Sequence, residues 1–240
     1  MTKMDIVRKI KSELSQYIDR EKAAFFPKFF KALPGGYGEG DRFMGVTVPN
    51  QRKVAKKYCR SISREELERL LQDPVHECRS TALFVMVYKY EYSKSEVEKE
   101  AIVQGYLDNL PYVNNWDLVD SSAYKILGPH LENKDRALLY TLAASENLWE
   151  QRVAVITTLH FIRQNDFHDI LLIAELLINH SHDLIHKAVG WMLREVGKRN
   201  VLMELEFLNK HYKRMSRTML RYAIEKLEPG LRKKYLRGEV

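Results

Sequence analysis

Asp120-Ser-Ser-Ala-Tyr124 has four counterparts in this chain: Arg79-Ser-Thr-Ala-Leu83, Arg152-Val-Ala-Val-Ile156, Lys187-Ala-Val-Gly-Trp191 and Arg221-Tyr-Ala-Ile-Glu225. Their first residues are separated by 41, 32, 35 and 34 positions. A period of this length marks helical-hairpin repeats, each unable to bury its apolar face alone and therefore stacked on its neighbours. Small residues at Ala82, Ala123 and Gly190 mark places where helices approach closely. The surrounding sequence agrees. Apolar residues recur at helical spacing in segments of 10 to 18 residues, and no run alternates apolar with polar as a strand would. Start signals precede many segments: Pro49, Ser63 with Glu66 as a capping box, Asp73-Pro74, Ser93 or Ser95, Asn133, Asp166 and Asp183. The expected fold is all-α, an αα-superhelix built as one domain over residues 1–240.

If the second helix of each repeat lines a concave surface, the aligned position forms a column of Arg79, Asp120, Arg152, Lys187 and Arg221. A solvated helix face mixes signs or pairs Glu with Lys at four-residue spacing. Four cations around one acid instead suit a phosphate backbone, where each neutralised phosphate releases counterions. The formal charge of +7 points the same way. Asp120 repels such a ligand, which makes it the informative exception. In Asn114-Asn-Trp-Asp-Leu-Val-Asp120, Trp116 stands one turn before Asp120 on the same helix face, while Leu118 and Val119 point to the core. Trp191 stands one turn after Lys187, and Trp149 lies three before Arg152, at a rim or between helices. Indoles beside a basic groove stack on sugars or bases.

Other patterns carry less chemistry. Phe25, Phe26, Phe29 and Phe30 form a stripe that reads as helix packing. Pro34 to Asp41 is rich in glycine but lacks a Gly-Lys-Ser/Thr ending and carries two acids, so it reads as a plain loop. His180, His182 and His186 cluster without a further ligand in a metal-binding arrangement, and neither a metal nor a cofactor is expected. Cys59 and Cys78 form no Cys-x-x-Cys motif and read as buried thiols. Met1 to Ser15 mixes charges with apolar residues and does not read as a secretory leader, and Ile170 to Ile178 is too short to span a membrane. A cytoplasmic location is expected.

Asn115-Trp-Asp-Leu-Val-Asp120, Leu148-Trp-Glu-Gln-Arg-Val-Ala154 and Lys187-Ala-Val-Gly-Trp-Met-Leu-Arg-Glu195 together resemble the AlkD-type family of DNA alkylation-repair glycosylases. The resemblance implies a superhelix of HEAT-like repeats. It also implies excision of N3- and N7-alkylated purines from double-stranded DNA, with no obligatory protein partner. By position, Asp120 matches the catalytic carboxylate, Trp116 and Trp191 the aromatic pair at the damaged nucleotide's deoxyribose, and Arg152 a DNA-binding arginine. Lys187, Arg194, Arg79 and Arg221 complete the expected phosphate contacts. After Met44-Gly45-Val46, where some members carry glutamine, this chain has Thr47. Two other classes compete: a non-catalytic solenoid binding distorted or branched DNA, which has no use for Asp120, and a protein–protein scaffold, whose groove would not be systematically basic.

Overall fold

A computed structural model describes residues 5–240. Among them there is no strand; Arg42 and Val75 form an isolated bridge. The chain folds as two compact units, one ending at Ser122 and the other beginning at Ala123. The first holds α1 (Ile6–Ser15), α2 (Arg20–Phe29), α3 (Val48–Tyr58), α4 (Arg64–Leu71), α5 (His76–Tyr92), α6 (Glu96–Asp108) and the start of α7 (Trp116–His130). The second holds the rest of α7, then α8 (Ala137–Ala143), α9 (Leu148–Thr157), α10 (Leu159–Arg163), α11 (His168–Leu176), α12 (Asp183–Gly197), α13 (Val201–His211), α14 (Arg217–Ala223) and α15 (Pro229–Arg237).

Two of the expected caps are where the sequence puts them. Ser63 and Glu66 close a reciprocal capping box on α4, and Ser95 caps α6. Others are displaced by a residue or more. Asp73 accepts from the Val75 N–H, so α5 starts at His76 rather than directly after Pro74. His182 caps α12 and Asp183 becomes its first residue, where a carboxylate complements the helix dipole. Ahead of α8, Asp135 rather than Asn133 supplies the acceptor, to the Ala137 N–H.

Each unit is centred on one helix. In the first, α5 packs against α3, α4 and α6 and is buried continuously from His76 to Val87. In the second, α12 packs against α9, α13 and α14. Its buried residues Leu184, Ile185, Ala188, Val189, Met192, Leu193 and Val196 form an apolar stripe, which leaves Lys187, Trp191 and Arg194 half-exposed along the opposite face. Gly190 has a packing reason. A β-carbon there would lie 2.4 Å from the Met219 carbonyl oxygen and 2.6 Å from Tyr222 Cβ, so only glycine lets α12 and α14 approach this closely.

Candidate functional site

The first two turns of α7 present Trp116 and Asp120, both half-exposed, while Leu118 and Val119 are fully buried behind them. Aromatic rings hold Trp116 from below. Its indole stacks on Phe30 with ring centroids 5.6 Å apart and meets Phe29 edge-on at 5.7 Å. Buried Asn115 locks the entry to the helix: its Oδ1 accepts from the Trp116 N–H at 2.9 Å and its Nδ2 donates to the Phe30 carbonyl at 3.2 Å. The phenylalanine stripe of α2 is therefore more than helix packing. Phe30 is buried in this bed, but Phe25 and Phe29 remain 54% and 47% exposed.

Beneath the aromatics lies a buried ionic chain. His76, at the start of α5, places Nδ1 3.0 Å from Asp41 and Nε2 2.8 Å from Asp117. Its ring lies against Phe30 and Phe43, at 4.8 and 5.0 Å between centroids. Burial, the largest influence, pushes the imidazole pKa down. The charge and hydrogen bond of Asp117, helped by the Asp41 hydrogen bond, more than offset it and raise the pKa to about 9. The ring is thus an imidazolium at neutral pH, joining the loop before α3 to the first turn of α7. Asp41 stays ionised although burial opposes its charge, because His76 and Arg79 hold its pKa below the ordinary carboxylate range. Of the two acids in Trp116-Asp-Leu-Val-Asp120, Asp117 is committed to this chain and Asp120 is on the half-exposed face beside Trp116. The charge of Asp120 also adds to the burial that raises the pKa of the Tyr106 phenol, which is hydrogen-bonded to Ser122.

Arg79 requires a correction. Its side chain is not a groove cation: the residue is 3% exposed, and its guanidinium donates to Asp41 at 2.7 Å, Asn114 Oδ1 at 3.0 Å and the carbonyls of Tyr112 and Asp73, both at 3.1 Å. The physical reason is the surrounding helix. Because α5 is buried on every side, its polar residue must be satisfied internally. The glycine-rich loop, read as chemically empty, supplies the acid for it in Asp41. Nothing local in the sequence pairs Asp41 with His76 and Asp117, since their partnership comes only from the tertiary fold.

The backbone at Met44-Gly-Val46 is held by the buried Glu77 carboxylate, which accepts from the N–H groups of Met44, Gly45 and Val46 at 3.0, 2.7 and 3.2 Å. Gly45 is in the left-handed region at φ 80°, and a β-carbon there would strike the Asp19 carbonyl oxygen at 2.1 Å. Thr47 caps α3 by position but without a side-chain capping bond.

In the second unit, Arg152 is also withdrawn from solvent. It is 4% exposed and its Nη1 donates to the Leu184 carbonyl at 2.6 Å, so as a solvent-facing phosphate contact it too is corrected. The half-exposed face of α12 carries Lys187, 2.7 Å from Asp183, and Trp191, whose indole N–H donates to Glu195 at 3.1 Å. Arg194 pairs with Glu225. Arg221, on α14, is exposed. The three histidines serve the backbone instead of a metal-like cluster: His182 Nδ1 accepts from the Leu184 N–H, His180 Nδ1 from the His182 N–H, and His186 Nε2 meets the His180 carbonyl.

The family model of the DNA alkylation repair enzymes matches residues 10–227. Among solved structures, the chain is similar to a predicted DNA alkylation repair enzyme from Enterococcus faecalis, at a TM-score of 0.68 and 20% identity. That match covers 88% of this chain and 97% of the other. No curated protein matches the sequence. At this identity the solved structure speaks for the all-helical fold alone.

Proposed function

The chain belongs to the DNA alkylation repair enzyme family, and from that premise we propose that it is a glycosylase releasing N3- and N7-alkylated purines from double-stranded DNA. One observation carries the proposal. Trp116 and Asp120 stand one turn apart on the half-exposed face of α7, with the indole seated on Phe29 and Phe30.

The chemistry asks for one carboxylate. Glycoside hydrolysis ordinarily takes a pair, one of them protonating the leaving group. A purine alkylated at N3 or N7 is already cationic and leaves without a proton. The remaining demand is to stabilise positive charge growing on the deoxyribose as the glycosidic bond breaks, and an ionised Asp120 meets it. Trp116 packs on the sugar, with its own orientation fixed by Phe29 and Phe30. The bonding pair leaves with the purine, which departs neutral, and water adds to C1′ of the sugar cation and gives its proton to solvent, leaving a base-free deoxyribose. Trp191 is assigned a second sugar contact. Lys187, Arg194 and Arg221 are assigned to phosphates.

Incubating the protein with a duplex carrying 7-methylguanine, with a 3-methyladenine duplex and an undamaged one in parallel, tests the reaction. Free methylated base released from the damaged duplexes only is the expected result. Tight duplex binding with no base released from either lesion would reduce the protein to a non-catalytic binder.

A further inference from the structure

The first unit holds a cleft of about 530 Å³ between α4, α5 and α6, to which no residue of α7 contributes. This lies within the range of about 300–1,000 Å³ usual for small-molecule sites. Leu67 and Leu71 of α4, Met86 of α5 and Ile102 of α6 give it an apolar wall. Gly105 of α6 also lines it. Glycine inside a helix costs about 1 kcal/mol relative to alanine, so a packing reason is expected. Gly128 and Gly190 have one, since a β-carbon would lie 2.3 Å from His160 and 2.4 Å from Met219. Gly105 has none. Its β-carbon would meet only Met86 Cε, at an ordinary 3.8 Å, so glycine here leaves the cleft open.

The polar groups at this cleft are unevenly committed. Glu68 pairs with Arg64 at 2.8 Å, and Glu98 accepts the Ser93 hydroxyl at 2.6 Å. Arg60 and Lys89, by contrast, have no carboxylate within ion-pair distance among the described residues. The Arg60 guanidinium lies over the Tyr92 ring, 5.6 Å from its centroid, also at the cleft.

We propose that this cleft binds a small amphiphilic anion: an apolar acyl or aromatic body among Leu67, Leu71, Met86 and Ile102, with its carboxylate, sulfonate or phosphate at Arg60 and Lys89. Three cations, Arg60, Arg64 and Lys89, line the cleft against two carboxylates, and among the described residues only Arg64 is held in an ion pair, so an anionic head is favoured over a cationic one. A duplex is too wide to enter a volume of this size, which separates this site from the surface assigned to DNA.

Titrating the full chain with anilinonaphthalene sulfonate, an apolar aromatic anion that fluoresces when shielded from water, tests the proposal. Saturable binding at a single site is expected. Gly105→Leu, which fills the cleft, should abolish it. Arg60→Gln with Lys89→Gln should weaken it by about fivefold, the size of a partly exposed charge contact. Decanoate should compete, and the uncharged N-phenylnaphthylamine should bind the double variant as well as the parent. The two glutamines replace surface side chains and decide the matter if Gly105→Leu does not fold. No saturable binding, or binding unchanged in the double variant, would overturn the proposal.

Discussion

At His76 the charge of one buried ring is linked to folding. Its folded pKa of about 9 exceeds the 6.5 of an unfolded histidine, so the native state holds a proton that the unfolded chain releases. The resulting stabilisation is fully present below pH 6.5 and disappears as pH rises through about 9. A gap of this size corresponds to something on the order of 3 kcal/mol. Thermal melts across that window should show the parent's Tm falling more steeply than that of His76→Gln, and parallel curves would mean that the ring is neutral in the fold. Arg79 is coupled to the same chain through Asp41. Arg79→Met leaves that acid buried beside only one cation, and urea denaturation should report a loss of about 3–5 kcal/mol. Duplex affinity of the folded variant should keep its salt dependence. A flatter dependence with little loss of stability would return Arg79 to the DNA surface.

At the scale of helices, two glycines of similar appearance should behave oppositely. Gly190→Ala drives a methyl into the backbone of α14 and should cost about 1–3 kcal/mol. Gly105→Ala meets nothing closer than 3.8 Å and should stabilise by up to about 1 kcal/mol. Equal effects in chemical denaturation would contradict the packing described for both helices. The same contrast shows what the sequence made legible. Helical periodicity, the Ser63 box and the close approach at Gly190 are local or nearly so, and they could be read. The shared face of Trp116 and Asp120 needed only a four-residue spacing. Burial of Arg79 was harder, because the repeat register equates it with exposed Arg221. A signal existed in the unbroken apolar run Ala82 to Tyr88, which marks α5 as a helix buried all round, unlike α14. The His76 chain had no such signal. Its partners are 35 and 41 residues away and only tertiary contacts bring them together.

For the whole molecule, net charge alone overstates the expected grip on DNA. Of the 39 lysines and arginines, two expected contacts, Arg79 and Arg152, are buried, and Lys187 and Arg194 must exchange Asp183 and Glu225 for phosphates. Such exchanges release fewer counterions per contact than an unpaired cation would. Duplex affinity should therefore fall with salt, with Arg221→Ala reducing the slope of log K against log salt by about 0.9. Lys187→Ala should reduce it by less. Titrations at several salt concentrations measure both, and a flat response in the parent would remove nucleic acid as the partner.

The central claim, that the Asp120 carboxylate drives base release by its charge, is tested most directly by single-turnover release of 7-methylguanine from a methylated duplex. Enzyme is kept saturating, and Asp120→Asn is compared with the parent beside a binding titration. Asparagine keeps the shape and removes the charge. Loss of one preorganised electrostatic contact of this kind is worth on the order of 3 kcal/mol, so release should slow by about a hundredfold or more. Duplex binding should be kept or improved, because the acid repels phosphate. A folded Asp120→Asn protein that releases the base at the parent's rate would contradict the account.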